Sequence, residues 1–202
     1  MRILFALAAL PLIGAAPPAP AAAGLTIYVR GPGNVPIRDA VVTVHLVGRA
    51  TPAPTRAGNF MVDQKDIQFH PFVLMVPVGS QVSFPNLDAV RHHVYSFSAA
   101  KKFELKLYAK EQNRSITFDK AGIVALGCNI HDQMSAFINV VDTAYAVKTD
   151  ATGNAVFNLP SGVTAKVDVW HPYLRAPNNT VSRQVAGSGA ETMALTLRQP
   201  SR

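Results

Sequence analysis

The sequence predicts an all-β protein, and three observations carry that expectation. Short runs rich in Val, Ile, Thr and aromatic residues recur along the chain. Gly, Pro, Asn and Asp cluster between them, as in Gly31-Pro-Gly-Asn34 and Asp150-Ala-Thr-Gly-Asn154. Only residues 99–114 offer room for a helical turn or two.

Taken in order, residues 1–23 read as an export signal rather than as part of the fold. Arg2 supplies a positive start, Ile3 to Ala16 form an apolar stretch, and Ala21-Ala-Ala23 offers small residues for cleavage. The expected mature protein begins at Gly24 and is periplasmic, and no later segment reads as a membrane span. Leu25 to Arg30 and Ala40 to Val47 then form two strands, followed by a Pro-rich linker at Thr51-Pro-Ala-Pro-Thr-Arg-Ala-Gly58. Strands follow at Phe72 to Val78, His92 to Phe97, Ile123 to Leu126 and Ala136 to Val141. A turn-rich stretch begins near Asp142, and Val163 to Val169 forms a late strand. The expected division is therefore 1–23, 24–57, 58–142 and 143–202, without internal repeats. Many short strands with frequent turns imply a sandwich or barrel.

Composition narrows the function. The chain has 202 residues, 49% hydrophobic and 15% charged, which suits one or two domains and argues against disorder. Its single Cys excludes a disulfide within the monomer and any site built from several thiolates. The net charge is +7, yet aromatics make up only 8% and no block of consecutive Lys or Arg appears, so a nucleic-acid reader finds little support. A lone thiol in an exported protein tends to oxidise or pair between chains unless something occupies it.

Cys128-Asn-Ile-His131-Asp-Gln-Met134 holds the sharpest chemistry. A thiolate, an imidazole and a thioether recur every third residue on a loop between two apolar strands, where all three donors can turn toward one point. Thiolate, imidazole and a weak thioether suit copper, with sulfur serving Cu(I) and nitrogen Cu(II). Such a site needs a second His, and His92 and His93 lie upstream on a strand. Strand parity sends these neighbours to opposite faces, so only one can point inward, and parity alone does not choose between them. The blander alternatives are a buried Cys acting as a small hydrophobe and a Met134 that only fills the core. His45, His70 and His171 read as ordinary strand or loop histidines.

The ligand loop resembles the C-x2-H-x2-M loop of the cupredoxins, with the spacing of amicyanin and pseudoazurin. Upstream, Phe84-Pro-Asn86 followed six residues later by His92 resembles the family's first-ligand segment. Val76-Pro-Val-Gly-Ser-Gln-Val-Ser-Phe-Pro-Asn86, His92-His-Val-Tyr-Ser-Phe97 and Lys101-Lys-Phe-Glu-Leu105 match the exported methylamine-utilisation, plastocyanin-like subgroup. The resemblance covers about residues 58–141. It implies a Greek-key sandwich, one copper ion, and His92, Cys128, His131 and Met134 as ligands. His93 departs from the family, which places there an Asn that steadies the ligand loop. Asp132-Gln133 makes the loop more polar than in many relatives.

The outer blocks resemble a carboxypeptidase-regulatory-like β-sandwich through Gly33-Asn-Val-Pro-Ile-Arg-Asp-Ala-Val-Val42, Thr149-Asp-Ala-Thr-Gly-Asn-Ala-Val-Phe157 and Leu159-Pro-Ser-Gly162. That resemblance implies a second small sandwich, with the copper block inserted in it or packed beside it.

Three function classes follow. A one-electron carrier leads, because Cys, two His and a weak Met hold both copper states with little rearrangement. Copper storage, delivery or sensing would use the same ligands. An enzyme with Cys128 as nucleophile lacks a Gly-rich oxyanion nest and an orienting acid. Lys101, Lys102, Lys106, Lys110, Arg114 and Lys120 outnumber Glu104, Glu111 and Asp119. This run is expected either to be a solvated face or to dock an acidic redox partner near His131.

Overall fold

A computed structural model describes residues 22–199. Its strands are, in chain order, β1 (Ala22–Arg30), β2 (Val41–Leu46), β3 (Asn59–Met61), β4 (Asp63–Lys65), β5 (Gln68–His70) and β6 (Val73–Pro77). Then come β7 (Ser80–Ser83), β8 (His92–Ser98), β9 (Lys101–Tyr108), β10 (Ser115–Phe118), β11 (Gly122–Cys128) and β12 (Ser135–Val141). The last five are β13 (Ala146–Lys148), β14 (Asn154–Pro160), β15 (Thr164–Trp170), β16 (Thr180–Ala186) and β17 (Gly189–Ala194). The all-β expectation holds, and among the described residues no helix is long and apolar enough to cross a membrane.

The central strands make a sandwich. A five-stranded sheet, ordered β6-β12-β11-β8-β9, faces a three-stranded sheet, β10-β7-β3. Strand β11 returns beside β8 after the chain has crossed to the other sheet through β10, a Greek-key path. Val76, Phe84, Val94, Phe118, Leu126 and Ile138 fill the space between the sheets. Cys128 and Met134 belong to the same cluster.

The strands before and after this block pair with each other. β1 lies between β14 and β17, and β2 lies between β13 and β15, with β16 on the outer edge. Leu25, Ile27 and Val29 from the first of these sheets meet Val42, Val44 and Val167 from the second. The path out to the central block and the path back run together, since the Ala144 N–H donates to the Pro52 carbonyl at 2.8 Å.

A third cluster joins the two sandwiches. Phe137 packs edge-on against Phe72 and Trp170, with ring centroids 5.6 and 5.7 Å apart. Val41, Val73 and Val141 lie buried around them. This explains why β12 is apolar at nearly every position: Ala136, Ile138 and Val140 face the central core, while Phe137 faces the neighbouring sandwich.

Residues 99–114 do not form a helix. Strand β9 occupies half of the segment and pairs antiparallel with β8. Its side chains alternate, with Phe103 and Leu105 toward the core and Lys102, Glu104 and Lys106 toward solvent. That two-residue period, and the unpaired edge of β8, overrode the helix propensity of Lys, Glu and Leu.

The export-signal reading falls on residues outside the described ones, apart from its last two. Ala22 and Ala23 open β1 opposite Pro160 and Leu159. Cleavage after Ala23 would therefore shorten β1 by two residues and leave the Leu25 to Arg30 ladder with β17 whole.

Candidate metal centre

Two loops and two strand ends bring the donors together at one end of the central sandwich. Cys128 is the last residue of β11 and pairs with Val94 of β8, which sets its sulfur beside the strand carrying His92. The ladder between β8 and β9 slips between His92 and Val94. The extra residue lies in β9, which lets Leu105 and Tyr108, three apart, both face the core, while His92 and Val94 share a face by ordinary strand alternation. His92 is fully buried, and its Nδ1 lies 4.0 Å from the Cys128 Sγ. The half-buried His131 brings its own Nδ1 to 3.6 Å from the same sulfur. One donor atom from each of the three residues lies within 4.8 Å of the others, a group that could hold a metal ion.

The loop between the sulfur and β12 is a tight turn. The Met134 N–H donates to the His131 carbonyl at 2.9 Å, which folds residues 131–134 back on themselves. Met134 is buried in the same apolar cluster as Cys128.

His93 sits elsewhere. Its ring stands 6.0 Å from that of Tyr95, and its Nε2 lies 3.0 Å from Glu104 but off the hydrogen-bond axis. Of the two neighbouring histidines, the structure turns His92 toward the sulfur and His93 toward β9. The remaining histidines lie apart from the site. His45 faces Asp142, His70 closes the β4–β5 pair, and His171 belongs to the flanking sandwich.

Sequence reasoning missed Asp88. Its Oδ2 lies 2.7 Å from the His92 Nε2, on the side of the ring away from Cys128. The same carboxylate accepts the backbone N–H groups of Asp66 at 2.7 Å and Ile67 at 3.0 Å. Those two residues form the turn between β4 and β5 with φ of 54° and 56°, the left-handed pair that a two-residue hairpin turn requires. Burial by itself would raise the Asp88 carboxyl, but the Ile67 N–H, the His92 ring and the Asp66 N–H together hold it below the ordinary value. As a carboxylate it accepts the His92 Nε2 proton, which leaves the Nδ1 lone pair facing the sulfur. The available signal was a carboxylate four residues before the His, too common to stand out alone.

Asn86 holds this loop. Its amide donates to the carbonyls of Val90 at 2.9 Å and Tyr108 at 3.1 Å, and its Oδ1 accepts the Asp88 N–H at 2.9 Å. Asn86, six residues before His92, thus shapes the turn that presents Asp88 and His92.

The donor set fits one metal ion of borderline or soft character. A buried sulfur with two imidazole nitrogens at 3.6 and 4.0 Å, and a buried thioether in the same apolar cluster, make a set that suits copper.

The basic run is spread out along β9, with only part of it toward this site. Leu105 pairs with Val94, level with Cys128, so Lys101 lies four residues up β9, roughly 13 Å away along the strand. Lys101 is also engaged by Asp119 at 2.9 Å. Lys106, between the Leu105 and Tyr108 that pair with Val94 and His92, and Lys110, two residues further on, lie toward the donors' end of the strand. The residues exposed on the site's loops are mixed: apolar Leu87, Val90 and Ile130, and polar Arg91, Asn129, Asp132 and Gln133.

Fold and donors together define a β-sandwich protein with a buried thiolate–imidazole centre at one end, resembling the cupredoxins in architecture as well as in motif. No protein-family model and no curated protein matches the chain. Among solved structures, it is similar to the copper-containing nitrite reductase NirK of Thermus scotoductus SA-01, at 27% identity and a TM-score of 0.39. That match covers 48% of this chain and only 24% of the reductase. It is also similar to an amicyanin variant, at 26% identity over 49% of this chain and 99% of that one, with a TM-score of 0.38. A purple cupredoxin from Nitrosopumilus maritimus aligns at 19% identity over 40% of this chain and 98% of its own, with a TM-score of 0.37.

Proposed function

We propose that this chain is an exported, periplasmic copper protein that carries single electrons, with one ion held by His92, Cys128, His131 and Met134. The convergence of His92, Cys128 and His131 donor atoms within 4.8 Å is the observation that supports it. Copper, when bound, supplies a one-electron couple. The chain's own residues supply the rest. Asp88 fixes the His92 ring and its proton from one side, the β11 ladder fixes Cys128, and the turn closed by Met134 fixes His131. Ligands held this firmly change position little between oxidation states, which keeps reorganisation small and exchange fast. The apolar core around Cys128 and Met134 excludes water from the sulfur. His131, less buried than the other donors, is the edge through which electrons pass. A redox partner docks there on Leu87, Val90 and Ile130.

Copper-loaded protein tests the proposal through its visible spectrum and voltammetry. A strong thiolate-to-Cu(II) charge-transfer band and a reversible one-electron wave are expected. Cys128→Ser and His92→Ala should abolish the band, and His93→Asn should retain it. Met134→Leu should keep the band and move the potential. Tight Cu(I) binding that exchanges readily, without a band or a reversible wave, would favour storage or delivery instead. A band that survives Cys128→Ser would refute the ligand set.

A further inference from the structure

The flanking sandwich carries a cleft that shares no residue with the metal centre. It has a volume of about 470 Å³ and lies between the loop after β1, the residue following β15 and the chain after β17. That volume is in the range of small-molecule sites. Pro32, Val35, Pro36, Ile37 and Leu197 give it an apolar wall. The two prolines hold the loop's backbone without a ligand, so the wall is preformed.

Its polar groups are few and converge. His171 lines the cleft and is only 6% exposed. The ring's Nδ1 accepts the Tyr173 N–H at 3.2 Å, which places the imidazole proton on Nε2. Burial lowers the pKa of His171 more than Asp39 raises it, so the ring stays neutral near pH 7 with this tautomer. Among the described residues Nε2 makes no hydrogen bond, and it is not one of the fully buried atoms without a partner, so this donor stays open to solvent at the cleft.

Arg38 stands at the same cleft with its side chain 75% exposed, held on one side by Asp39 at 3.0 Å. Asp39 is shared with Lys148 at 3.1 Å, so two cations face one carboxylate and a positive charge remains over. A neutral donor open to the cleft, a guanidinium sharing its one carboxylate with Lys148 and an apolar wall are together complementary to one ligand chemistry.

We propose that this cleft binds a small amphipathic carboxylate. The carboxylate accepts the His171 Nε2–H and a hydrogen bond from Arg38, and the apolar body lies against Pro32, Val35 and Leu197. The site is independent of the metal and of the electron-carrier reading.

The test uses the full chain, isotope-labelled, titrated with 4-phenylbutyrate and separately with its neutral amide. Binding is followed through the His171 ring and the Ile37 and Leu197 methyl resonances. Saturable shifts at all three positions are expected with the acid, and binding about tenfold weaker or more with the amide. Arg38→Gln, at an exposed side chain that folding does not need, should weaken the acid about tenfold and leave the amide unchanged. Leu197→Asp should abolish both. His171→Gln keeps a donor and should retain part of the affinity that His171→Leu loses. Absence of saturable shifts, equal binding of acid and amide, or an Arg38→Gln variant that binds the acid as the parent does would each overturn the proposal. The visible spectrum of copper-loaded protein should not respond to the acid, and a change there would overturn the site's independence.

Discussion

Replacing Asp88 by Ala removes a carboxylate that three donors share, and the structure lets the cost be worked out. The Asp66 and Ile67 N–H groups and the His92 Nε2–H each lose an acceptor. A hydrogen bond to a charged group contributes about 1.5–3 kcal/mol, so three would give roughly 4.5–9 kcal/mol if none were replaced. The two turn amides lie at the surface, where water takes the place of the carboxylate, leaving about 2–4 kcal/mol of net loss. The Asp66–Ile67 turn adds to this, because its two left-handed residues lose the cap that holds them. Metal binding should suffer separately: losing the partner that orients a ligating His typically costs about 10–100-fold in affinity. Urea unfolding of the metal-free protein reads the first effect, and competition with a chelator of known copper affinity reads the second. Asp88→Asn should fall between parent and Ala, since an amide offers one acceptor oxygen and brings a donor into a site that has three. Unchanged metal-free stability together with unchanged copper affinity in Asp88→Ala would refute the claim that this carboxylate holds His92.

Gly127→Ala should be destabilising by about 1–2 kcal/mol, because a Cβ there would stand 2.8 Å from the Tyr95 ring. In a Tyr95→Ala background the same change should cost almost nothing, and an undiminished cost in that double-mutant cycle would show that the ring is not the obstacle. His171 should make stability fall in mild acid. Burial lowers its folded pKa below the ordinary 6.5, with Asp39 opposing more weakly, so the unfolded chain takes up its proton first. Its contribution is therefore complete above about pH 6.5 and declines as pH drops from there toward the folded value. Unfolding free energies at pH 7.5 and 5.5 should differ less in His171→Gln than in the parent, and equal differences would count against the burial argument.

Much of this molecule was legible in the amino-acid order. Alternation and turn residues announced strands, since a pleated strand shows opposite faces to core and solvent, and this leaves a period of two in the sequence. The Cys128, His131 and Met134 spacing was legible because all three sit on one short turn, where proximity in the chain is proximity in space. Long-range geometry was not. Parity required His92 and His93 to diverge without saying which would face the sulfur; the pairing of Cys128 with Val94, two residues from His92 on the same face, and the grip of Asp88 turned His92 inward. The helical turn expected at 99–114 gave way to an edge strand because β8 offered hydrogen bonds that no local propensity can register. The basic residues that the sequence groups as a solvated or docking run were spread by strand rise, with Lys101 at the start of β9 and Lys110 in the turn beyond its end. The sequence by itself therefore determined the class of fold and the donor types, which depend on neighbours along the chain. The tertiary structure decided which His meets the sulfur, what holds it, and where the charges lie, because each depends on strand register, and register is set by residues distant in sequence.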